Sequence, residues 1–186
     1  MRIVLARHGK PKLPAFGWLS PRQMKDWIEC YNQAGIEAES IPAEIKNMAA
    51  ASGVVASSTA ARCIQSVQGL GCGASMMTDA LFLEAGLPYL AWHVPKLPAS
   101  VWTVVFRLAW LWGFSANAES RAVAVLRAKA AADRLITLAQ KHESVFLMGH
   151  GVMTVLIANH LRSMGWVGPS RPAGRHWGIS VYRMPV

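Results

Sequence analysis

An arginine and a histidine follow the first apolar run of the chain, where a buried strand would end. The run covers 2–6, and the segment Arg7-His8-Gly9 comes directly after it. A guanidinium can hold a phosphate through two parallel hydrogen bonds, and an imidazole can attack phosphorus and carry the phosphoryl group. Gly9 lets the backbone turn sharply at this point. By themselves these three residues are a weak signal for phosphoryl chemistry, and the signal gains force from the residues further along the chain.

Three groups further along the chain complete a set that fits this chemistry. Arg62 follows a pair of serines, Glu84 follows an apolar segment, and His150 lies between two glycines. A second arginine and a second histidine can stabilise the charge on a phosphoryl group during transfer, and a carboxyl group can donate and accept the proton. This is the set needed to move a phosphoryl group through a phosphohistidine.

Strand-like and helix-like segments alternate along the chain, which predicts a sheet covered by helices on both faces. Strands are expected at 2–6, at 53–57, within 76–83, at 144–148 and, along an edge, at 179–183. Helices are expected at 20–33, 59–70, 100–112, 118–141 and 152–164. The first helix would begin with Ser20 as N-cap, followed by Pro21 and by Gln23 in the pattern of a capping box.

This topology would bring the separate groups together. Ligands bind at the carboxyl ends of parallel strands, and helix N-termini there supply free N–H groups for an anion. Arg7 and His8 end the first predicted strand, and Arg62 lies just past the second. His150 follows the strand predicted at 144–148. We therefore expect these residues to converge at one edge of the sheet.

The composition fits one enzyme domain over 1–186 in a reducing compartment. Of the 186 residues, 53% are hydrophobic, which is enough for a large core. The cysteines Cys30, Cys63 and Cys72 form no CxxC pair, so neither a disulfide framework nor a zinc site is predicted. The apolar start of the chain is too short for a secretory signal, and we expect a cytoplasmic location.

The net charge of +9 predicts a surface that attracts anions. Because the basic residues are dispersed, no nucleic-acid role is expected. The segment 101–114 is apolar and rich in tryptophan, but Arg107 interrupts it and it is shorter than the roughly 20 residues of a membrane span. It is interpreted as a buried or lid helix in which Trp102, Trp110 and Trp112 pack. Contact with a membrane surface is the alternative, and no integral membrane segment is expected.

These motifs resemble those of the histidine phosphatase superfamily, which also contains the cofactor-dependent phosphoglycerate mutases. The matching segments, in the family's order, are Arg7-His8-Gly9 (the RHG motif), 57–66, Leu83-Glu84, 118–120 and 148–151. The resemblance runs from residue 2 to about residue 160. It implies an α/β fold of three layers, α/β/α, with a mostly parallel central sheet like that of the phosphoglycerate mutases.

The resemblance also implies a role for each of the groups. His8 would be the nucleophile that forms the phosphohistidine intermediate. Arg7, Arg62 and His150 would hold the phosphoryl oxygens and stabilise charge in an in-line transfer. Glu84 would protonate the leaving oxygen and then help to activate water. No metal or other cofactor is implied, because the arginines and histidines supply the positive charge.

The pattern bears on several neighbouring positions as well. Gly9 and Lys10 are predicted to adjoin the substrate, with solvent exposure as the alternative for Lys10. Glu119-Ser120 lies in a segment that resembles the family's Gly-Glu-Ser, and we interpret it as a helix cap. The sequence assigns no role to His93 or to His176.

The chain departs from the family at two places. Lys12-Leu13-Pro14 stands where many relatives carry an asparagine that helps to hold phosphate, and the long insertion typical of the mutases is not recognisable. Residues 88–116 would cover the site as a lid. We therefore expect a metal-independent phosphatase for phosphomonoesters, with mutase-type phosphoryl transfer and non-hydrolytic phosphate binding as alternatives. A small phosphorylated metabolite and a phosphoprotein both remain open as substrates, and so does a homodimer.

Overall fold

Five strands form the central sheet in the residues that the computed structural model describes, 1–73 and 76–185. In chain order the strands are β1 (Arg2–Arg7), β2 (Trp18–Leu19), β3 (Val54–Ser58), β4 (Met76–Asp79), β5 (Leu97–Pro98), β6 (Ser144–Gly149) and β7 (Ile179–Arg183). The helices are α1 (Met24–Gln33), α2 (Ala43–Ala50), α3 (Ala61–Gly69), α4 (Ala99–Leu111), α5 (Arg121–His142) and α6 (Gly151–Ser163), with a short 3-10 helix at Ala80–Phe82. The sheet has the order β4-β3-β6-β1-β7, and β2 pairs separately with β5.

The strands β4, β3, β6 and β1 run parallel, and β7 closes one edge antiparallel to β1. The interior residues of β1 and β6 are apolar and buried, as is typical of parallel strands covered on both faces. In the register of this pair, Leu5 lies opposite Leu147 and Arg7 lies opposite Gly149. The carboxyl ends of the parallel strands therefore meet at one edge of the sheet.

Two apolar cores lie on opposite faces of this sheet. Alternate residues of a strand point to opposite faces. Ile3 and Leu5 accordingly pack in the core that contains α5 and α6, whereas Val4 and Ala6 pack with α2 and α3. The molecule thus has three layers, with helices on each face of a mostly parallel sheet. This confirms the fold class predicted from the sequence.

The predicted elements agree with the structure except at some boundaries. α1 begins at Met24 and not at Pro21, because Pro21–Gln23 form a turn and Gln23 occupies the N-cap position. The hydrogen bonds of the predicted capping box are nevertheless formed. The Ser20 N–H donates to Gln23 Oε1 at 2.9 Å, and the Gln23 N–H donates to Ser20 Oγ at 3.4 Å. The local signal was correct, and the regular helix starts one turn later.

The sequence does not predict α2 or the pair β2–β5. α2 has eight residues, which is too short for a clear helical period. β2 and β5 have two residues each, with Trp18 opposite Pro98 and Leu19 opposite Leu97. Segments so short carry no periodic pattern, and their pairing depends on tertiary packing.

The apolar segment 101–114 lies mostly in α4. Trp102 and Trp110 are buried, as predicted, together with Phe106. The prediction is wrong for Trp112, which occupies the C-cap position of α4 and is 91% exposed. Among the described residues, no helix combines the length and the apolar composition needed to cross a bilayer.

α5 contacts the sheet and α6 through small side chains. Its buried positions include Ala124, Ala128, Ala131 and Ala132. The distance between packed elements depends on the side chains at the contact, so alanines let α5 approach closely. Because protein interiors are close-packed, little room remains there for a larger side chain.

We predict that Ala131→Leu lowers the free energy of unfolding by about 1–3 kcal/mol, because Ala131 is fully buried and the added carbons must displace packed neighbours. Ala130→Leu, at the neighbouring exposed position, should change that free energy by less than about 0.5 kcal/mol. Urea unfolding of both variants measures the difference. Equal stability of the two variants would contradict close packing at Ala131.

Candidate active site

The edge of the sheet where β1, β3 and β6 end gathers the predicted site residues. Arg7 is the last residue of β1, and His8 follows it. Arg62 lies in the first turn of α3, and His150 connects β6 to α6. Glu84 comes shortly after the 3-10 helix that follows β4. The parallel topology places these groups at one end of the sheet, as the sequence led us to expect.

His8 is buried, and its hydrogen bonds fix which ring nitrogen carries a proton. Nδ1 lies 2.7 Å from the carbonyl oxygen of Gly9, which can only accept, so Nδ1 is the donor. Nε2 accepts a hydrogen bond from Arg62 Nε at 3.2 Å. Burial lowers the pKa of His8 from 6.5 to about 3; the charges of Arg62 and Arg7 act in the same direction, and the Gly9 hydrogen bond opposes them. His8 is therefore a neutral imidazole with its lone pair on Nε2.

The guanidinium of Arg62 connects the two histidines. It donates to His8 through Nε, and one of its terminal nitrogens lies 3.2 Å from Nδ1 of His150. The other terminal nitrogen donates to the carbonyl oxygen of Tyr31 at 3.0 Å, and the Tyr31 ring lies 4.4 Å below the guanidinium carbon. Arg62 is only 1% exposed. Helix α1 thus orients this side chain, although no sequence motif links α1 to it.

His150 is held in the opposite tautomer. Because an arginine can only donate, His150 Nδ1 is the acceptor, and Nε2–H donates to Ser58 Oγ at 2.9 Å. Burial, reinforced by the charge of Arg62, lowers the pKa of His150 well below its usual range. Cys63 Sγ lies 3.4 Å from the same Nε2, and burial raises the pKa of this thiol to about 12. Both imidazoles of the cluster are therefore neutral.

The carboxylate of Glu84 lies at the N-terminus of α6. Its oxygens accept from the backbone N–H groups of Val152 at 3.2 Å and Met153 at 2.9 Å. It also accepts from the N–H of Ala85 at 3.0 Å. Free N–H groups at a helix N-terminus favour an anion, and this contact holds the Glu84 side chain beside the strand end that carries His150.

Arg127 on α5 supports the segment that carries Glu84, a function that the sequence does not indicate. Its guanidinium donates to the carbonyl oxygens of Leu81 at 2.9 Å and Leu83 at 2.7 Å. It also forms a 2.5 Å ion pair with Glu119. Of the segment predicted as a helix cap, Ser120 makes the capping bond of α5: its Oγ accepts from the N–H of Val123. Glu119 instead forms the ion pair with Arg127.

Arg7 and His176 lie beside His8. One terminal nitrogen of Arg7 donates to the carbonyl oxygen of Gly174, and Arg7 Nε is buried without a hydrogen-bond partner among the described residues. His176 Nδ1 donates to the carbonyl oxygen of His8 at 3.1 Å, with the two ring centres 5.4 Å apart. Burial lowers the pKa of His176. The sequence left His176 unassigned, because no spacing relates it to a residue 168 positions earlier.

Gly9 and Lys10 differ in their surroundings. The Gly9 N–H donates to Ser66 Oγ at 3.0 Å, and a Cβ at this position would lie 2.4 Å from a ring carbon of Trp177, so only glycine fits. The Lys10 ammonium forms a 2.9 Å ion pair with Glu37 on the surface. Lys10 does not line the cavity beside the site, so the structure favours the exposed alternative for it.

A cavity of about 970 Å³ adjoins the cluster. Arg7, Arg62, Glu84 and His176 line it. The segment 88–116, predicted as a lid, contributes to the wall through residues of α4 and the preceding loop. Within 1–73 and 76–185, His, Cys, Asp and Glu side chains form no group of three able to hold a metal ion.

The neutral state of His8 predicts a specific pH dependence of stability. Below pH 6.5 the unfolded chain takes up a proton on His8 that the folded chain does not take up until about pH 3. The contribution of His8 to the free energy of unfolding is thus largest above pH 6.5 and falls towards pH 3, by up to about 1.4 kcal/mol per pH unit for one proton. His8→Gln should lower the number of protons taken up on unfolding by about one, and so reduce the slope of the free energy of unfolding against pH. Urea unfolding between pH 4 and pH 8 measures it, and identical slopes in the two proteins would contradict a neutral His8.

No protein-family model and no curated protein sequence matches this chain. Solved structures do match it. A protein from an open reading frame of Mycobacterium tuberculosis matches over 100% of this chain and 95% of its own, with a TM-score of 0.62 and 14% identity. A mycobacterial glucosyl-3-phosphoglycerate phosphatase in complex with VO3 matches over 100% and 97%, with a TM-score of 0.62 and 16% identity. The ecdysone phosphate phosphatase from Bombix mori in complex with tungstate matches over 98% and 88%, with a TM-score of 0.57 and 13% identity.

At these identities the likeness is one of fold, and it extends over almost the whole length of each chain. The matched structures belong to the group whose motifs the sequence resembles. The arrangement of strands and helices and the position of the RHG segment at a strand end agree with that resemblance. The chain therefore has the fold of the histidine phosphatase superfamily.

Proposed function

We propose that this protein is a phosphatase that hydrolyses phosphomonoesters through a phosphohistidine at His8. One observation carries the proposal. His8 is a buried neutral imidazole whose unprotonated Nε2 faces the guanidinium of Arg62, with the second neutral histidine, His150, on the other side of that guanidinium. This arrangement offers a nucleophile and a phosphate clamp at the same point.

The charge of the cluster supports binding of an anion. Neither Arg7 nor Arg62 forms an ion pair with a carboxylate in the described part of the chain. A buried charge without a partner raises the free energy of the folded protein. A phosphoryl group that enters beside the two guanidiniums supplies the missing negative charge, and its oxygens match the fork of an arginine.

In the first chemical step, His8 Nε2 attacks the phosphorus atom. A P–N bond forms as the P–O bond to the alcohol breaks in line with it. Arg7 and Arg62 hold the phosphoryl oxygens while charge builds up on them. His150 joins them once the phosphoryl anion favours its protonation, because its Nδ1 is an acceptor in the free protein and its Nε2–H donates to Ser58. The Arg62 Nε contact with Nε2, 3.2 Å in the free protein, is exchanged for contacts with these oxygens. Glu84, a carboxylate in the free protein, takes up a proton before this step and gives it to the leaving oxygen.

In the second step, water attacks the phosphohistidine. The Glu84 carboxylate takes the proton from that water, the P–N bond breaks, and inorganic phosphate leaves. His8 returns to its neutral form, and Glu84 is again protonated for the next cycle. The Nδ1–H bond to Gly9, 2.7 Å long, keeps the imidazole in one orientation through both steps.

His176 is assigned to the phosphate site in place of the family's asparagine. It lines the same cavity as Arg7, and its ring lies 5.4 Å from that of His8. Its Nδ1–H is engaged with the His8 carbonyl at 3.1 Å, so Nε2 is the ring nitrogen that remains for a ligand. Nε2 becomes a donor when the phosphoryl anion favours protonation of the ring. Lys12-Leu13-Pro14 offers no amide at the position of that asparagine.

The fold comparisons support the same class of reaction. Two of the matched proteins are phosphatases, and they were solved with VO3 and with tungstate, which are oxyanions like phosphate. The alternatives of phosphoryl transfer to a second hydroxyl and of binding without hydrolysis give different products, and the labelling experiment below separates them.

We expect rapid quenching with a 32P-labelled aryl phosphate to give a phosphoprotein that is stable in alkali and labile in acid. His8→Ala should abolish the label, because it removes the attacking nitrogen. Lys10→Ala, at a surface ion pair outside the cavity, should retain it. A label that persists in His8→Ala would refute the assignment. Absence of label in the wild type would favour binding only, and transfer of most label to an added phosphoglycerate would favour the mutase.

Glu84→Gln should slow alkyl phosphates by about 100-fold or more and nitrophenyl phosphate by less than about tenfold. An alkoxide is a strongly basic leaving group and needs a proton donor, whereas nitrophenolate leaves without one. Glu37→Gln, at the surface pair with Lys10, serves as the control. The ratio of kcat/KM values for the two esters is the measurement. Equal slowing of both esters would indicate that Glu84 acts only by holding the N-terminus of α6.

A further inference from the structure

We propose that the substrate is a phosphomonoester of a large apolar alcohol, such as one with a long alkyl or polycyclic group. The inference rests on the proposed phosphatase activity for the bond that is broken. The remainder of the cavity, away from the histidine cluster, carries the argument about the alcohol.

The first observation is the size of the cavity. At about 970 Å³ it lies at the upper end of the range for sites that enclose drug-sized ligands. A phosphoryl group bound to Arg7, Arg62 and His176 fills only a small part of that volume. Most of the space is therefore available to the alcohol part of the ester.

The second observation is the chemistry of the walls. Trp27, Ile28 and Tyr31 of α1 line one part, and the rings of Trp27 and Tyr31 stack with centres 5.3 Å apart. Val104 and Leu108 of α4 line another. Aromatic and aliphatic walls of this kind favour apolar ligands through burial of surface.

The third observation is that Val104 and Leu108 are exposed in the free protein, by 58% and 54% respectively. They lie one helical turn apart on α4, so they form a continuous apolar strip along the cavity. A ligand that covers this strip removes apolar surface from water on both sides of the contact. The favourable free energy of binding then grows with the apolar area of the ligand.

The fourth observation concerns a second anionic group. Away from the phosphoryl site, Arg107 is the cationic side chain of the described lining. Its two terminal nitrogens donate to the carbonyl oxygens of Gly86 at 3.1 Å and Ala85 at 3.0 Å. Its guanidinium also lies 5.0 Å over the ring of Trp110. Because both terminal nitrogens of Arg107 donate to backbone carbonyl oxygens, this guanidinium is poorly placed to bind a distal carboxylate or a second phosphate.

The polar lining residues Asn32, Thr59, Thr103 and Asn117 decide whether the cavity could also recognise a sugar. Among the polar lining residues, Asn117 donates its side-chain amide to the carbonyl oxygen of Tyr89 at 3.2 Å. Thr103 donates its hydroxyl to the carbonyl oxygen of Ala99 at 2.8 Å. Thr103 and Asn117 thus serve the backbone of the wall, whereas Asn32 and Thr59 are exposed polar side chains of the lining. Most of the other lining residues beyond the phosphoryl end are apolar or aromatic, and this majority favours an apolar alcohol.

The test measures binding without turnover. n-Butyl-, n-hexyl- and n-octylphosphonate are non-hydrolysable mimics of alkyl phosphates, and calorimetry below their micelle concentrations gives the Kd values. We expect Kd to fall about fourfold for each added methylene that enters the cavity. In turnover, octyl phosphate should exceed 3-phosphoglycerate in kcat/KM by at least about 100-fold, which four such methylenes would supply.

A matched pair of variants on α4 locates the effect. Leu108 lines the cavity, whereas Leu111 on the same helix is 44% exposed and does not line it. Leu108→Asn should weaken octylphosphonate binding by about fivefold, roughly the effect of one lost methylene contact, and leave methylphosphonate unchanged. Leu111→Asn should leave both Kd values unchanged.

A chain-length series that is flat or reversed would overturn the proposal, as would tighter binding of 3-phosphoglycerate than of octylphosphonate. An equal effect of the two asparagine variants would overturn the placement on α4. The phosphonate series does not depend on catalysis. Failure to form a phosphoenzyme at His8 would therefore contradict the proposed activity alone. The Kd values of the phosphonates would still show whether the cavity binds an apolar group.

Discussion

The buried guanidinium of Arg62 fixes the chemical state of both histidines, and the other features of the site depend on it. Arginine has donors and no acceptor, so the nitrogen that each imidazole turns towards it must carry a lone pair. His8 is left with its proton on Nδ1 and His150 with its proton on Nε2. Burial and the positive charge together keep both rings neutral. The result is an unprotonated Nε2 on His8 that hydrogen bonds set in advance, as the proposed nucleophile requires.

The surrounding elements maintain this arrangement from several directions. Tyr31 on α1 accepts from Arg62 and stacks under it. Ser66, one turn along α3 from Arg62, accepts from the Gly9 N–H and so ties the loop after β1 to the same helix. Ser58 at the end of β3 accepts from His150. Displacement of any one of α1, α3 and β3 would change a contact of the cluster, so the three elements together hold it in place.

The carboxyl group of the site is held apart from the guanidiniums. Glu84 accepts from backbone N–H groups at the start of α6, and Arg127 holds the backbone on which Glu84 lies. If Glu84 paired instead with Arg62, the charge that attracts a phosphoryl group would be neutralised. The helix N-terminus satisfies the carboxylate, and the two arginines of the site keep their charge for the ligand.

The sequence by itself determined which side chains gather at one edge of the sheet, and therefore where the proposed chemistry would take place. Residue types at the ends of apolar runs identified Arg7, His8, Arg62 and His150, because a parallel sheet brings the ends of its strands to one edge whatever the details of packing. The same alternation of strands and helices predicted the three layers. These inferences use local patterns, which depend on neighbouring residues only.

Contacts between distant segments were decided by the tertiary structure alone. His176 meets His8 across 168 positions, and Arg127 holds carbonyl groups more than 40 positions earlier. Lys10 pairs with Glu37 at the surface and does not line the cavity. The apolar walls on α1 and α4 likewise belong to one cavity only after folding. Such contacts depend on how the connections between elements pack, and no residue type or spacing in the chain records that.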